Sequence, residues 1–266
     1  MRLRLFRYAV RLLNWLKVII LLLSSSTYSL AGNVNEYSGI TLPSTRIIYS
    51  GKETKGITFA VTNNTPTPYL MQSRVTTLPT SLVEEAHDTP SLATSPFIVL
   101  PPLVRIESGE TTTLRIRLIQ NTLPTNKESV FAFQIKTIPS KKKREDNAKE
   151  QAHMTLALQN TLKMFYRPEG LPPYKVQNVA QALQFKRQGT QITVTNPTVF
   201  YATFADLSVG KSIIGNKALL KMVPPLGQQT YSLPDIEPSG DVRWQLLNEY
   251  GIPTEPMTRP LDNQKK

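Results

Sequence analysis

Along most of the chain, apolar and polar side chains alternate in short runs, each closed by glycine, asparagine, serine or proline. A period of two places one set of side chains on one face of an extended strand. Residues 40–49 predict a first strand, with Pro43 suited to a sheet edge because it donates no backbone hydrogen bond. Further strands are predicted over 56–62, 68–75, 96–100, 104–106, 112–119 and 129–138. In 112–119, Leu114, Ile116 and Leu118 fall on one face and Arg115 and Arg117 on the other. A polar stretch from Thr80 to Ser95, containing His87, carries no period and reads as a loop. Up to Pro168 this makes about eight strands and no convincing helix, the pattern of an all-β sandwich. The 21 prolines, spread through the chain, also disfavour long helices.

The most informative run is 154–168. It opens with Met154, Leu156 and Leu158 alternating with Thr155, Ala157 and Gln159, then changes character to Lys163 and Phe165-Tyr166 before Arg167-Pro168 ends it. Taken alone, the three apolar residues are the inward face of a core strand. Lys163 has the opposite parity, so a regular strand points it away from their face.

Composition narrows the classes. With 266 residues, 40% of them hydrophobic, the chain has room for two domains with real cores. There is no cysteine, hence no disulfide framework and no thiolate metal site, and only two histidines, His87 and His153. The N-terminus reads as an export signal: Arg2, Arg4, Arg7, Arg11 and Lys17, then six apolar residues (18–23), then Ser29-Leu30-Ala31, which fits small-x-small cleavage. Six apolar residues fall far short of the ~20 a spanning helix needs, so no membrane anchor is expected after cleavage. Removing 1–31 takes five positive and no negative charges away, lowering the net charge from +12 to +7. The one dense basic run, Lys141 to Arg144, meets Glu145-Asp146 and lacks interleaved aromatics, so nucleic acid is not an expected partner.

Pro168-Glu169-Gly170-Leu171-Pro172-Pro173 reads as an elbow. Beyond it, Val194-Thr195-Asn196 echoes Val61-Thr62-Asn63, and an aromatic-containing strand follows each. The expected organisation is a signal peptide (1–31), a first sandwich (32–168) and a second of related design (169–266), with a polar tail after Pro253 that frays.

Several of these segments resemble the periplasmic pilus-assembly chaperones, the PapD-like family. In the first half they are Thr45-Arg46, Pro68-Tyr69-Leu70, Pro96-Phe97-Ile98-Val99 before Pro101-Pro102, Leu123-Pro124 with Glu128-Ser129-Val130-Phe131, and Lys163 to Pro168. In the second they are Asn196-Pro197-Thr198 with Phe200 to Phe204, Met222-Val223-Pro224-Pro225, and Val242 to Gly251. Two departures stand out: Asn126-Lys127 where the family often has Asp-Arg, and Glu249 where it usually has aspartate.

The resemblance implies two immunoglobulin-like sandwiches in an L-shaped arrangement, in a periplasmic chaperone that needs no cofactor and is not an enzyme. Its implied partners are pilus or fimbrial subunits and an outer-membrane usher. It further implies that Arg46 and Lys163 hold a subunit's C-terminal carboxylate, each through charge-assisted hydrogen bonds of roughly 1.5–3 kcal/mol. Met154, Leu156 and Leu158 would fill an apolar groove in a subunit that lacks a strand, by donor-strand complementation. Their burial would contribute on the order of 5–8 kcal/mol before association costs. Glu128, Arg167 and Glu249 become candidates for ion pairs between the domains. The long charged connection before the donor strand guards an aggregation-prone edge; without cysteine, it leans towards the family's short-loop class. The same edge is open to self-association.

A second class stays in view: an exported structural protein, such as a two-domain adhesin or fibre subunit. That reading asks for an N-terminal donor extension, and the residues between Gly32 and Gly39 are few and polar. A glycan- or metal-handling enzyme ranks third, because no nucleophile–histidine pair, phosphate-cradling glycine loop or metal-ligand spacing is found.

Overall fold

The computed structural model describes residues 39–78, 95–140, 156–234 and 239–261. The leader 1–31, the loop around His87, the charged connection 141–153 and Met154 lie outside the described residues. No helix among the described residues is long and apolar enough to cross a membrane.

The first half carries β1 (Ile40–Thr41), β2 (Arg46–Ser50), β3 (Ile57–Asn63), β4 (Tyr69–Thr77), β5 (Phe97–Leu100), β6 (Leu103–Ile106), β7 (Thr111–Leu118), β8 (Ser129–Pro139) and β9 (Leu158–Arg167). They form two sheets, ordered β1-β3-β7-β5 and β2-β9-β8-β4-β6. The alternation seen in the sequence becomes burial: Leu114 and Ile116 are fully buried while Arg115 and Arg117 face solvent. Between the sheets lies one apolar cluster, with Phe59, Val61, Met71, Ile106, Phe133, Ile135 and Met164 at its centre. Near one end, Tyr49, Phe97 and Phe131 meet edge to face at centroid distances of 5.1 and 5.0 Å, the geometry aromatic rings favour.

The single strand expected over 40–49 is in fact two. β1 pairs with β3 in one sheet, and β2 pairs with β9 in the other. The chain changes sheets at Pro43, which offers no N–H to either ladder, and Ser44 Oγ then donates to the Arg46 carbonyl at 2.7 Å. Both pieces sit at sheet edges.

The second half carries β10 (Gln184–Gln188), β11 (Gln191–Asn196), β12 (Phe204–Val209), β13 (Ser212–Ile213), β14 (Gly227–Ser232), β15 (Val242–Leu246) and β16 (Met257–Arg259). Their sheets run β10-β11-β14 and β13-β12-β15-β16, enclosing a separate core around Leu183, Ile192, Val194, Leu207, Val209 and Trp244. A seven-residue helix, Val176–Ala182, buries Val176, Val179 and Ala180 against it, and one helical turn spans Asn216–Leu219.

The echo between the halves has a physical basis. Asn63 ends β3, fully buried; its Nδ2 donates to the Thr67 and Glu107 carbonyls (2.9 and 3.0 Å), and its Oδ1 accepts from Thr65 N–H and Oγ1 (3.1 and 2.7 Å). Asn196, equally buried, repeats the arrangement with the Phe200 and Pro224 carbonyls (2.7 and 3.2 Å) and with Thr198 N–H and Oγ1 (3.0 and 2.7 Å). Each asparagine satisfies backbone groups that a buried turn would otherwise leave unpaired.

Candidate functional site: an open strand edge beside two cations

β9 is the strand on which the site is built. It runs antiparallel to β8 from Leu158 to Tyr166, but parallel to β2 only from Lys163 to Arg167. Residues Leu158–Leu162 therefore carry ladder hydrogen bonds towards one side only, and no strand among the described residues covers their other edge. The two faces of β9 also diverge. Leu162, Met164 and Tyr166 enter or pack on the first core, whereas Lys163, Phe165 and Arg167 face residues of the second half.

Leu158 has the core-facing parity and stands opposite the buried Thr137, yet is itself 59% exposed. Leu156, two residues earlier, is 63% exposed. These apolar side chains are thus not inward members of a core strand.

Arg46 and Lys163 are direct partners in the parallel register of β2 and β9. Arg46 Nη1 makes a long contact of 3.5 Å to the Leu247 carbonyl, its guanidinium stands 5.8 Å from the Phe165 ring centre, and its Nε is buried without a hydrogen-bond partner. Lys163 Nζ donates to the Leu220 carbonyl at 3.1 Å. Neither cation is in an ion pair among the described residues. Burial lowers the pKa of both. For Lys163, burial first and the adjacent Arg46 charge second bring it down to about 8. An anion placed between them would relieve that cost. The two open onto a cleft of about 540 Å³, whose far wall comes from the second half.

One turn of strand further on, the third cation is fully occupied. Arg167 Nε donates to Glu128 Oε1 at 2.7 Å and Nη1 to Glu249 Oε1. Its guanidinium lies 4.0 Å from the ring centre of Tyr174 and 5.4 Å from that of Phe200. Glu128, only 2% exposed, also accepts the Tyr201 N–H at 2.8 Å, and its own N–H donates to the Val199 carbonyl at 2.9 Å. Burial pushes the Glu128 carboxyl up against the pull of Arg167. Burial opposes the Arg167 charge too, yet Glu128 and Glu249 outweigh it and raise its pKa. Glu128 and Arg167 belong to strands of the first half or their flanks, while Val199, Tyr201 and Glu249 belong to the second. Removing either buried charge would strand the other.

Other contributors carry no distinctive sequence signal. Tyr174, with its pKa raised to about 12 chiefly by burial, covers Arg167. Gly251, at φ +78°, faces Thr45 so closely that a β-carbon there would collide with the threonine hydroxyl. The Leu220 and Leu247 contacts are made by carbonyls, which any residue type can supply. No group of three potential metal-ligating side chains exists among the described residues.

The chain is thus an all-β protein of two sandwiches whose described residues leave a strand edge uncovered beside two cations without a carboxylate partner, an arrangement suited to receiving an extended chain. Residues 39–172 match the family model described as "Pili and flagellar-assembly chaperone, PapD N-terminal domain", and residues 178–257 match "Pili assembly chaperone PapD, C-terminal domain". The protein belongs to this family of pilus-assembly chaperones, a non-enzymatic class. Among curated relatives, Chaperone protein FimC of Escherichia coli K12 is 33% identical over 231 residues, which covers 85% of this chain and 86% of FimC. Among solved structures, the SafA pilin–SafB chaperone complex of Salmonella enterica matches with 28% identity and a TM-score of 0.69, covering 84% of this chain and 96% of the matched one. The E. coli chaperone DraB matches with 26% identity and a TM-score of 0.67, covering 84% and 98%.

Proposed function

We propose that this protein is a periplasmic chaperone that captures pilus or fimbrial subunits by lending them β9, anchors their C-terminal carboxylate between Arg46 and Lys163, and delivers them to an outer-membrane usher. The observation that carries this reading is the coincidence of an edge of β9, at Leu158–Leu162, that no described strand covers, with two cations, Arg46 and Lys163, that have no carboxylate partner among the described residues where that edge ends. A subunit strand added along the edge gains main-chain hydrogen bonds, and Leu156 and Leu158, with Met154 ahead of them, enter its groove. The subunit chain would then run up to the cations and end there, its terminal charge matched.

The SafB relative, solved in complex with a pilin, supports the partner class. The basic, apolar, small-residue leader supports cleavage after Ala31 and export, with a subunit-binding sandwich over 32–168 and a second over 169–266. Glu128, Arg167 and Glu249 serve to fix the angle between the sandwiches, so that the cleft is ready before the subunit arrives.

The test is co-expression with candidate subunits followed by pull-down. Arg46→Ala and Lys163→Ala should each abolish subunit recovery while the chaperone stays folded. Undiminished recovery with both variants would remove the carboxylate anchor from the account. Recovery of this protein from assembled fibres instead of a soluble pool would favour the structural-subunit reading.

A further inference from the structure

Lys163 is tied to the second half by a hydrogen bond to the Leu220 carbonyl, and that residue's side chain remains 46% exposed at the same cleft. Beside it the cleft is lined by Phe204, Ala205, Leu219 and Pro253, all from the second sandwich. The turn that carries Leu220 is well braced. Leu219 is buried in the second core, Leu219 N–H donates to the Gly215 carbonyl at 3.3 Å, and Tyr231 OH donates to the Lys221 carbonyl at 2.6 Å. An exposed leucine on a fixed turn, its carbonyl bonded to a cation that has no carboxylate partner among the described residues, is an unusual place to leave apolar surface.

We infer that this wall of the second sandwich is a selectivity pocket for the side chain of the last residue of the bound subunit, favouring an apolar one. The inference rests on the carboxylate anchor proposed above and adds the identity of the residue that bears it. In the last residue of a chain, carboxylate and side chain share one Cα. Cations that hold the first therefore keep the second within a few ångströms, and the surface on offer there is apolar. No acidic side chain among the described residues lines the cleft, so a terminal lysine would add a third cation beside Arg46 and Lys163 with only its own carboxylate to offset them. A leucine or phenylalanine would instead cover Leu220. The volume of about 540 Å³ lies within the ~300–1,000 Å³ range of sites that hold a small ligand, so it has room for such a residue.

The experiment uses the full mature chain and a set of peptides copying a subunit's terminal segment. The peptides are identical except for a last residue of Ala, Leu, Phe or Lys, all free acids, with the Leu peptide also made as its C-terminal amide. Affinities are read by fluorescence anisotropy for the unaltered protein, for Leu220→Ser and for Leu220→Trp. The expected result is at least tenfold tighter binding of the Leu and Phe acids than of the Ala and Lys acids. Leu220→Ser should erase that advantage while keeping the preference for acid over amide, and Leu220→Trp should turn against Phe. Equal affinity for all four acids, with the acid-over-amide preference intact, would overturn the pocket and leave the anchor standing. So would an undiminished advantage in Leu220→Ser. Equal affinity for acid and amide would take down the anchor and the pocket with it.

Discussion

Arg46 and Lys163 stand directly opposite each other on neighbouring parallel strands, two cations side by side with no carboxylate paired to either among the described residues. Placing like charges together in a half-buried cleft costs stability. The cost is sensible where an incoming anion repays it.

If this pair anchors the subunit as proposed, capture should be pH-dependent. Lys163 is depressed to about 8, and a carboxylate ligand draws it back to the protonated form. Above about pH 8 binding must therefore take up a proton, and affinity should fall by up to roughly tenfold per pH unit. Titration of a subunit or terminal peptide between pH 7 and 9.5 checks this. Lys163→Arg, always charged, should flatten the profile. In the free protein the linkage has a definite sign. The unfolded chain binds the Lys163 proton more tightly than the folded one, so this group's contribution to stability rises with pH from about 8 to the ordinary lysine range.

On the proposed reading, Leu158 should contribute to binding rather than to the fold. It is largely exposed, so Leu158→Asp should change unfolding free energy by no more than about 0.5 kcal/mol. In a subunit groove, however, the same carboxylate would be buried without a partner, and capture should be lost. Parallel urea melts and pull-downs separate the two effects.

Arg167 is the reverse case. Arg167→Ala leaves Glu128 buried and unpaired, and should destabilise the protein by about 3–5 kcal/mol. Glu249 is 36% exposed, so Glu249→Ala should cost no more than about 1 kcal/mol. Equal losses on chemical denaturation would mean that the three charges act as one unit.

The duplicated asparagines give each sandwich its own point of failure. Asn63→Ala and Asn196→Ala each orphan at least two backbone groups, at about 1–3 kcal/mol per buried group. Calorimetry should show either variant with a lowered unfolding temperature. Near-native melting of Asn196→Ala would mean that water replaces its amide.

Much of this was legible in the chain. Alternation located the strands because one face of each is buried, and the parity of Lys163 relative to Leu158 placed them on opposite faces of β9. Periodicity could not say which sheet a strand joins. The break at Pro43 went unseen because residues on either side of it keep strand-like composition, and only the pairing shows that β1 and β2 belong to different sheets. The partnership of Arg46 with Lys163 came from resemblance, since 117 positions separate them and no local pattern links them. Leu220 and Leu247 were out of reach, as they meet the cations through backbone carbonyls. Glu249 still reaches Arg167 despite its extra methylene relative to the family's usual aspartate.

The most direct test of the account is amide hydrogen exchange over Leu158–Leu162, free and with a subunit bound. The free protein should exchange quickly at the amides facing the uncovered edge, and subunit binding should protect them strongly while amides bonded to β8 change little. Unchanged exchange at those edge amides in a complex of demonstrated stoichiometry would contradict the lending of β9.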